Sequence, residues 1–173
     1  MVDTSASMSE TYLDETTQKT VSRLEAALQH LEKHVLNDIL LYEQEFTLVR
    51  FDREYFTQEP VLATPSSVKE ALGAASKWHA DGSTDVWGVL HRAYSDEQAR
   101  AVYLLSDGDA SDRTSLINAV RGWSTNGSVP CNTICLYGQS RGDRLMASLS
   151  EVSGGLATVV SGTPAWRAAD YGG

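Results

Sequence analysis

Residues 99–109 read ARAVYLLSDGD. Val102, Tyr103, Leu104 and Leu105 form an unbroken apolar run, where a strand wetted on one face would alternate apolar and polar residues. A continuous run marks a strand covered on both faces, as in a parallel sheet flanked by helices. The run ends at Ser106-Asp107-Gly108, so a carboxylate is expected at the carboxyl end of a buried strand. In doubly wound sheets that is the end where function sits, off the point at which the strand order reverses.

Neighbouring segments fit such a sheet. DRTSLINAVRGW after it reads as a helix, PCNTICLYG as a strand, GDRLMASLSEVSGG as a helix stopped by Gly154, and LATVV as a last strand. Upstream, Val21, Leu24, Leu28, Leu31 and Val35 recur at three- and four-residue steps, which predicts a helix from Thr16 to about Leu36. FTLVRF reads as a strand that turns at Asp52-Arg53 into a short strand from Glu54 to about Gln58. Pro60 suggests that this second strand lies at a sheet edge. SSVKEALGAASKW predicts a helix with a serine cap, and TDVWGVLHRAY a further helix after the loop HADGS. Strands alternate with helices apart from one hairpin. The expected class is therefore α/β: a doubly wound, mostly parallel sheet with one antiparallel edge strand. Residues 1–160 are read as one domain and 161–173 as a loop-like tail.

The chain opens MVDTSASM, which places Asp3, Ser5 and Ser7 directly after an apolar start. A helix cap would need only one such side chain. Asp3 and Asp107 both end predicted strands, and Thr84 opens the helix after HADGS, so in a doubly wound sheet Asp3, Ser5, Ser7, Thr84 and Asp107 can meet above one sheet edge. Two carboxylates that close repel unless a cation lies between them. An all-oxygen set is what Mg²⁺ prefers, with Mn²⁺ as the alternative, and the absence of Cys and His from it argues against zinc.

Asp3-Thr4-Ser5-Ala6-Ser7-Met8, Gly82-Ser83-Thr84-Asp85 and Leu104-Leu105-Ser106-Asp107-Gly108, in that order, resemble the motifs of von Willebrand factor A (vWA) domains. The resemblance covers nearly the whole chain and implies a Rossmann-like vWA fold with a metal-ion-dependent adhesion site. It implies direct ligation by Ser5 and Ser7, ligation by Thr84 directly or through water, and Asp3 and Asp107 acting through water or directly. One metal position is left for an acidic group of a protein partner. It also suggests AAA+ ATPase or stress-response systems as settings. Only Met1 and Val2 precede Asp3, fewer residues than the family's central first strand brings, so that strand is read as truncated.

Bulk composition sets limits. The chain has 173 residues and a net charge of −9, which disfavours nucleic acid and suits a cation. No apolar run approaches the roughly 20 residues of a membrane span, and no signal peptide is read at the start. Cys131 and Cys135 on one strand would stand about 13 Å apart, too far for a disulfide. Two buried, inert thiols favour a reducing, cytoplasmic setting.

Other motifs have plainer readings. Arg141-Gly142-Asp143 is expected to be a turn with Asp143 capping the next helix. His30 and His34 fall on a solvated helix face. Asp107, Asp109 and Asp112 fail the spacing of a calcium loop, which leaves Asp109 and Asp112 as rim and cap residues. Trp87 and Trp123 are expected in helix packing, with Trp78 and Trp166 as candidate exposed anchors. The function expected is a metal-dependent interaction module rather than an enzyme. A metal-assisted phosphohydrolase would need a second Asp two residues after Asp3 and a well-placed lysine, and Lys69 and Lys77 are not obviously so. A structural subunit with an unused site is the remaining alternative.

Overall fold

The computed structural model describes residues 1–14, 17–41, 44–57, 59–124, 129–137 and 140–165. In chain order the elements are β1 (Val2–Asp3), a 3₁₀ turn (Ala6–Ser9), β2 (Thr11–Asp14), β3 (Lys19–Ser22) and α1 (Arg23–His30). α1 runs through a π-helical stretch (Leu31–Leu36) into α2 (Asn37–Leu41). Then come β4 (Glu45–Phe46), β5 (Val49–Phe51), β6 (Tyr55–Thr57), β7 (Val61–Leu62), α3 (Pro65–Ala75), α4 (Val86–Tyr94), β8 (Val102–Ser106), α5 (Arg113–Trp123), β9 (Cys131–Leu136), α6 (Ser140–Ser153), β10 (Ala157–Val160) and β11 (Thr163–Pro164).

The main sheet has six strands in the order β10-β9-β8-β1-β5-β6. All neighbours are parallel except the hairpin β5–β6, which supplies the antiparallel edge. β1 is the switch point, because the chain leaves it on one side to build β5 and returns on the other to build β8. Side chains alternate between two cores. Leu105, Ile134 and Leu136 pack with Leu24, Ala27, Leu31, Val68 and Ala71 on the α1 and α3 side. Val102, Leu104, Cys131 and Cys135 pack with Val89, Leu90, Leu116, Val120, Met146 and Leu149 on the α4, α5 and α6 side. That two-sided burial is what the VYLL run predicted. Neither cysteine is in a disulfide, and both are buried on β9. No helix among the described residues is long and apolar enough to cross a membrane.

Several expectations need correction. The predicted helix from Thr16 does not begin there. Thr11–Asp14 and Lys19–Ser22 form an antiparallel hairpin, and α1 starts at Arg23 behind a capping box between Ser22 and Glu25. Lys-Thr-Val-Ser is short and β-branched, and pairing with β2 outweighs the helical phase of Val21. FTLVRF splits in two: β4 pairs with β7, and β5 joins the main sheet. The tail is not all loop, since β11 pairs with β2 and makes a small sheet β11-β2-β3. Thr64, rather than a serine, caps α3. Arg141-Gly142-Asp143 lies within the first turn of α6, so Asp143 is no cap. His34 is exposed, but His30 is half-buried and stacked on it, with ring centroids 5.1 Å apart. Trp87 meets Trp123 edge-on at 5.5 Å while remaining 44% exposed. Trp78 is half-buried against the α1 and α3 core, and Trp166 lies outside the described residues.

Candidate functional site

Asp3 ends β1, and Asp107 follows the last residue of the adjacent strand β8. Both are buried, at 0% and 6% exposure. The backbone after Asp3 turns sharply, and Asp3 itself holds that turn: its Oδ1 accepts the Ser5 N–H at 2.9 Å. Its Oδ2 accepts the Ser106 hydroxyl at 2.7 Å, which ties the ends of β1 and β8 together. The Ser106 hydroxyl in turn accepts the Gly108 N–H at 3.1 Å. The hydroxyls of Ser5 and Ser7 share a hydrogen bond, with their Oγ atoms 3.2 Å apart. The loop that carries Thr84 is laced to this turn by Ala6 N–H on Gly82 O (3.1 Å) and Asp81 N–H on Thr4 O (2.8 Å). Gly82 makes the bend with a φ of +77°, a conformation that costs glycine little. Thr84 is half-buried just before Asp85, whose side chain caps α4.

The electrostatics are uneven. Burial pushes the Asp3 carboxyl up to about 6, and the Asp107 carboxylate adds to the rise, while the hydrogen bonds from Ser106 and Ser5 oppose it. Asp107 is compensated directly. Arg23, only 4% exposed at the start of α1, donates from Nη1 to Asp107 Oδ2 at 2.9 Å. The same guanidinium reaches Ser7 O (2.9 Å), Tyr12 Oη (2.6 Å), Tyr137 O (3.3 Å) and Glu10 Oε2 (3.1 Å). Tyr12 stacks on Tyr137 with centroids 4.7 Å apart and forms one wall of this sleeve. Asp107 Oδ1 accepts the Asp109 N–H at 3.1 Å.

No family model matches the sequence. Solved structures do match. The conserved hypothetical protein BatB from Bacteroides thetaiotaomicron superposes with a TM-score of 0.66 at 15% identity, over 98% of this chain and 92% of that one. A von Willebrand factor type A protein from Catenulispora acidiphila gives 0.66 at 20% identity, over 98% of this chain and 39% of that one. The VWA domain of SpRpn10 gives 0.64 at 13% identity, over 94% and 86%. The fold is that of a von Willebrand factor A domain.

In this vWA fold Asp3, Ser5, Ser7 and Asp107 lie at the carboxyl ends of β1 and β8 and in the turn that follows β1, and the loop that leads to Thr84 is bonded to the same turn through Asp81 and Gly82. Their donor chemistry suits a small hard cation. Two octahedral ligands at right angles around Mg²⁺, each at about 2.1 Å, stand about 3 Å apart. The Ser5 and Ser7 hydroxyl oxygens are close to that separation at 3.2 Å. A desolvated carboxylate at Asp3 is what a cation relieves. Among the described residues no three His, Cys, Asp or Glu side chains are grouped as a metal centre, so any site here depends on hydroxyls beside its two carboxylates.

Sequence reasoning missed Ser106 and Arg23. Ser106 sits inside the recognised LLSDG motif, yet nothing local says that it reaches Asp3. Arg23 carried a faint signal: it lies one turn before the buried Ala27, on the buried face of α1. Asp112 caps α5 as expected, while Asp109 is exposed and pairs with Arg113 at 3.6 Å. Lys69 and Lys77 are exposed on α3 and just beyond it.

Proposed function

We propose that this domain is a protein-interaction module whose contact runs through a divalent cation, Mg²⁺ or Mn²⁺, held by Asp3, Ser5, Ser7, Thr84 and Asp107. When bound, the cation supplies a Lewis-acidic point that takes a carboxylate from the partner, an Asp or Glu side chain. The observation that carries this reading is the convergence of the Ser5 and Ser7 hydroxyls, 3.2 Å apart, beside the buried carboxylate of Asp3. The roles of the chain's own groups follow from their contacts. Asp3 holds the turn that presents both serines. Ser106 fixes the Asp3 carboxylate, and Arg23 fixes that of Asp107. Thr84 is carried by a separate loop, bonded to the Ser5 turn through Asp81 and Gly82.

The test is isothermal titration of the metal-depleted protein with MgCl₂ and MnCl₂. One binding event is expected, and Thr84→Ala weakens it about tenfold or more with an unchanged fold. Thr84 is the better probe than Asp107, because truncating Asp107 strands the buried guanidinium of Arg23 and costs about 3–5 kcal/mol of stability by itself. Absence of binding in the wild type, or equal binding in Thr84→Ala, defeats this assignment.

A further inference from the structure

A second feature lies beside this site. Between α5 and α6 runs a groove of about 280 Å³ lined by Arg113, Ile117, Arg141, Arg144, Leu145 and Ser148. Its aliphatic floor and arginine rim stand out on a chain of net charge −9. The first turns of α5 and α6 both contribute to it, which adds the positive ends of two helix dipoles. Arg113 Nε is buried with no hydrogen-bond acceptor among the described residues, while its Nη2 lies 3.6 Å from Asp109 Oδ1. Asp109, Asp112 and Asp143 stand at the same end of the molecule, but none of them lines it. Asp109 is engaged with Arg113, and Asp112 with the Ser115 N–H. The groove also adjoins the candidate metal site, because Gly142, next to Arg141, packs directly on the backbone of Asp107 and Gly108.

We propose that this groove is a docking site for an acidic, leucine-bearing segment of the protein partner, running outward from the metal position. The proposal deepens the interaction reading above and rests on it for the nature of the partner. The groove supplies its own evidence. A single phosphate would leave most of the volume and the Ile117–Leu145 floor unused. An extended peptide places carboxylates on the arginines and aliphatic side chains on the floor. Planar guanidinium groups suit carboxylates, which they grip with two parallel hydrogen bonds.

The test uses a synthetic peptide of alternating aspartate and leucine, followed by NMR on ¹⁵N-labelled, metal-depleted protein. The expected result is saturable shifts of the arginine Nε–H signals and of the first-turn amides of α5 and α6. Arg141→Glu with Arg144→Glu, both at exposed positions, should weaken binding at least tenfold with an unchanged amide spectrum elsewhere. Arg121→Glu, exposed on α5 but outside the groove, should leave it unchanged. Equal affinity in the double variant overturns the proposal, and so does displacement of the peptide by inorganic phosphate with the same shifts. Repeating the titration with MgCl₂ separates the two readings. Binding that requires Mg²⁺ and survives the double variant overturns the groove and leaves the metal reading intact. Binding that needs no Mg²⁺ and is lost in the double variant supports the groove even if calorimetry finds no metal.

Discussion

Asp3 carries the clearest chemical strain. Its folded value of about 6 lies above the usual 3.8, chiefly because burial penalises the charged form. A carboxyl raised on folding favours the folded state in its protonated form. That contribution is complete below about pH 4 and is lost as the pH rises through about 6, with a difference of about 3 kcal/mol between the limits. The prediction is that metal-depleted protein loses stability between pH 4 and 7, and that added Mg²⁺ raises the melting temperature more at pH 7 than at pH 5. Asp3→Asn should flatten both trends in calorimetric melts across that range. A melting temperature in wild type that rises steadily over the window would contradict the assignment. Arg23 shows the converse arrangement: its charge is buried too, but with four acceptors and Asp107 around it. Composition does not reveal which of two buried carboxylates is compensated; the folded position of Arg23 against Asp107 does.

At the scale of elements, the approach of α6 to the β8 end sets the shape of the site. Gly108 takes a φ of +75°, and a Cβ on Gly142 would collide with the Asp107 carbonyl. Gly142→Ala should therefore force the 107–108 turn outward and cost about 1–3 kcal/mol, as overpacking does. It should also weaken Mg²⁺ binding. Gly73→Ala in α3, where nothing stands within 4 Å, should instead stabilise by about 0.5–1 kcal/mol. Urea unfolding of both variants checks the contrast, and equal effects would mean that the close approach carries no weight. The hairpin β2–β3 is the element that sequence reasoning lost. Val21 fits a helical stripe in phase, but a strand partner 9 residues upstream, Tyr12, claims it. Periodicity reads neighbours along the chain, and a hairpin partner for a four-residue strand is outside that reach.

For the whole molecule, the interior position of β9, between β8 and β10, has a kinetic consequence. Cys131 and Cys135 are both at 0% exposure, and burial pushes the Cys131 thiol up to about 12. Two strands and the layer of α6 must part before either thiolate can form in water. Reaction with an aromatic disulfide reagent should be slow in native buffer, and its rate along a urea series should track global unfolding seen by circular dichroism. Fast labelling of either thiol without loss of the circular dichroism signal would place β9 in a locally opening region.

The VYLL run, the alternation of strands with helices and the three short polar motifs were enough to reach the sheet, its antiparallel edge and the two carboxylates, Asp3 and Asp107, at the ends of neighbouring strands. These are local patterns: burial on both faces removes alternation, and a turn that exposes a strand end needs small polar residues. Sequence alone could not place Ser106 on Asp3, Arg23 on Asp107 or three arginines around one groove. Those contacts join residues 103, 84 and about 30 positions apart. Their existence depends on the order in which strands are laid beside β1, and that order is decided by packing the two helical layers rather than by any stretch of chain.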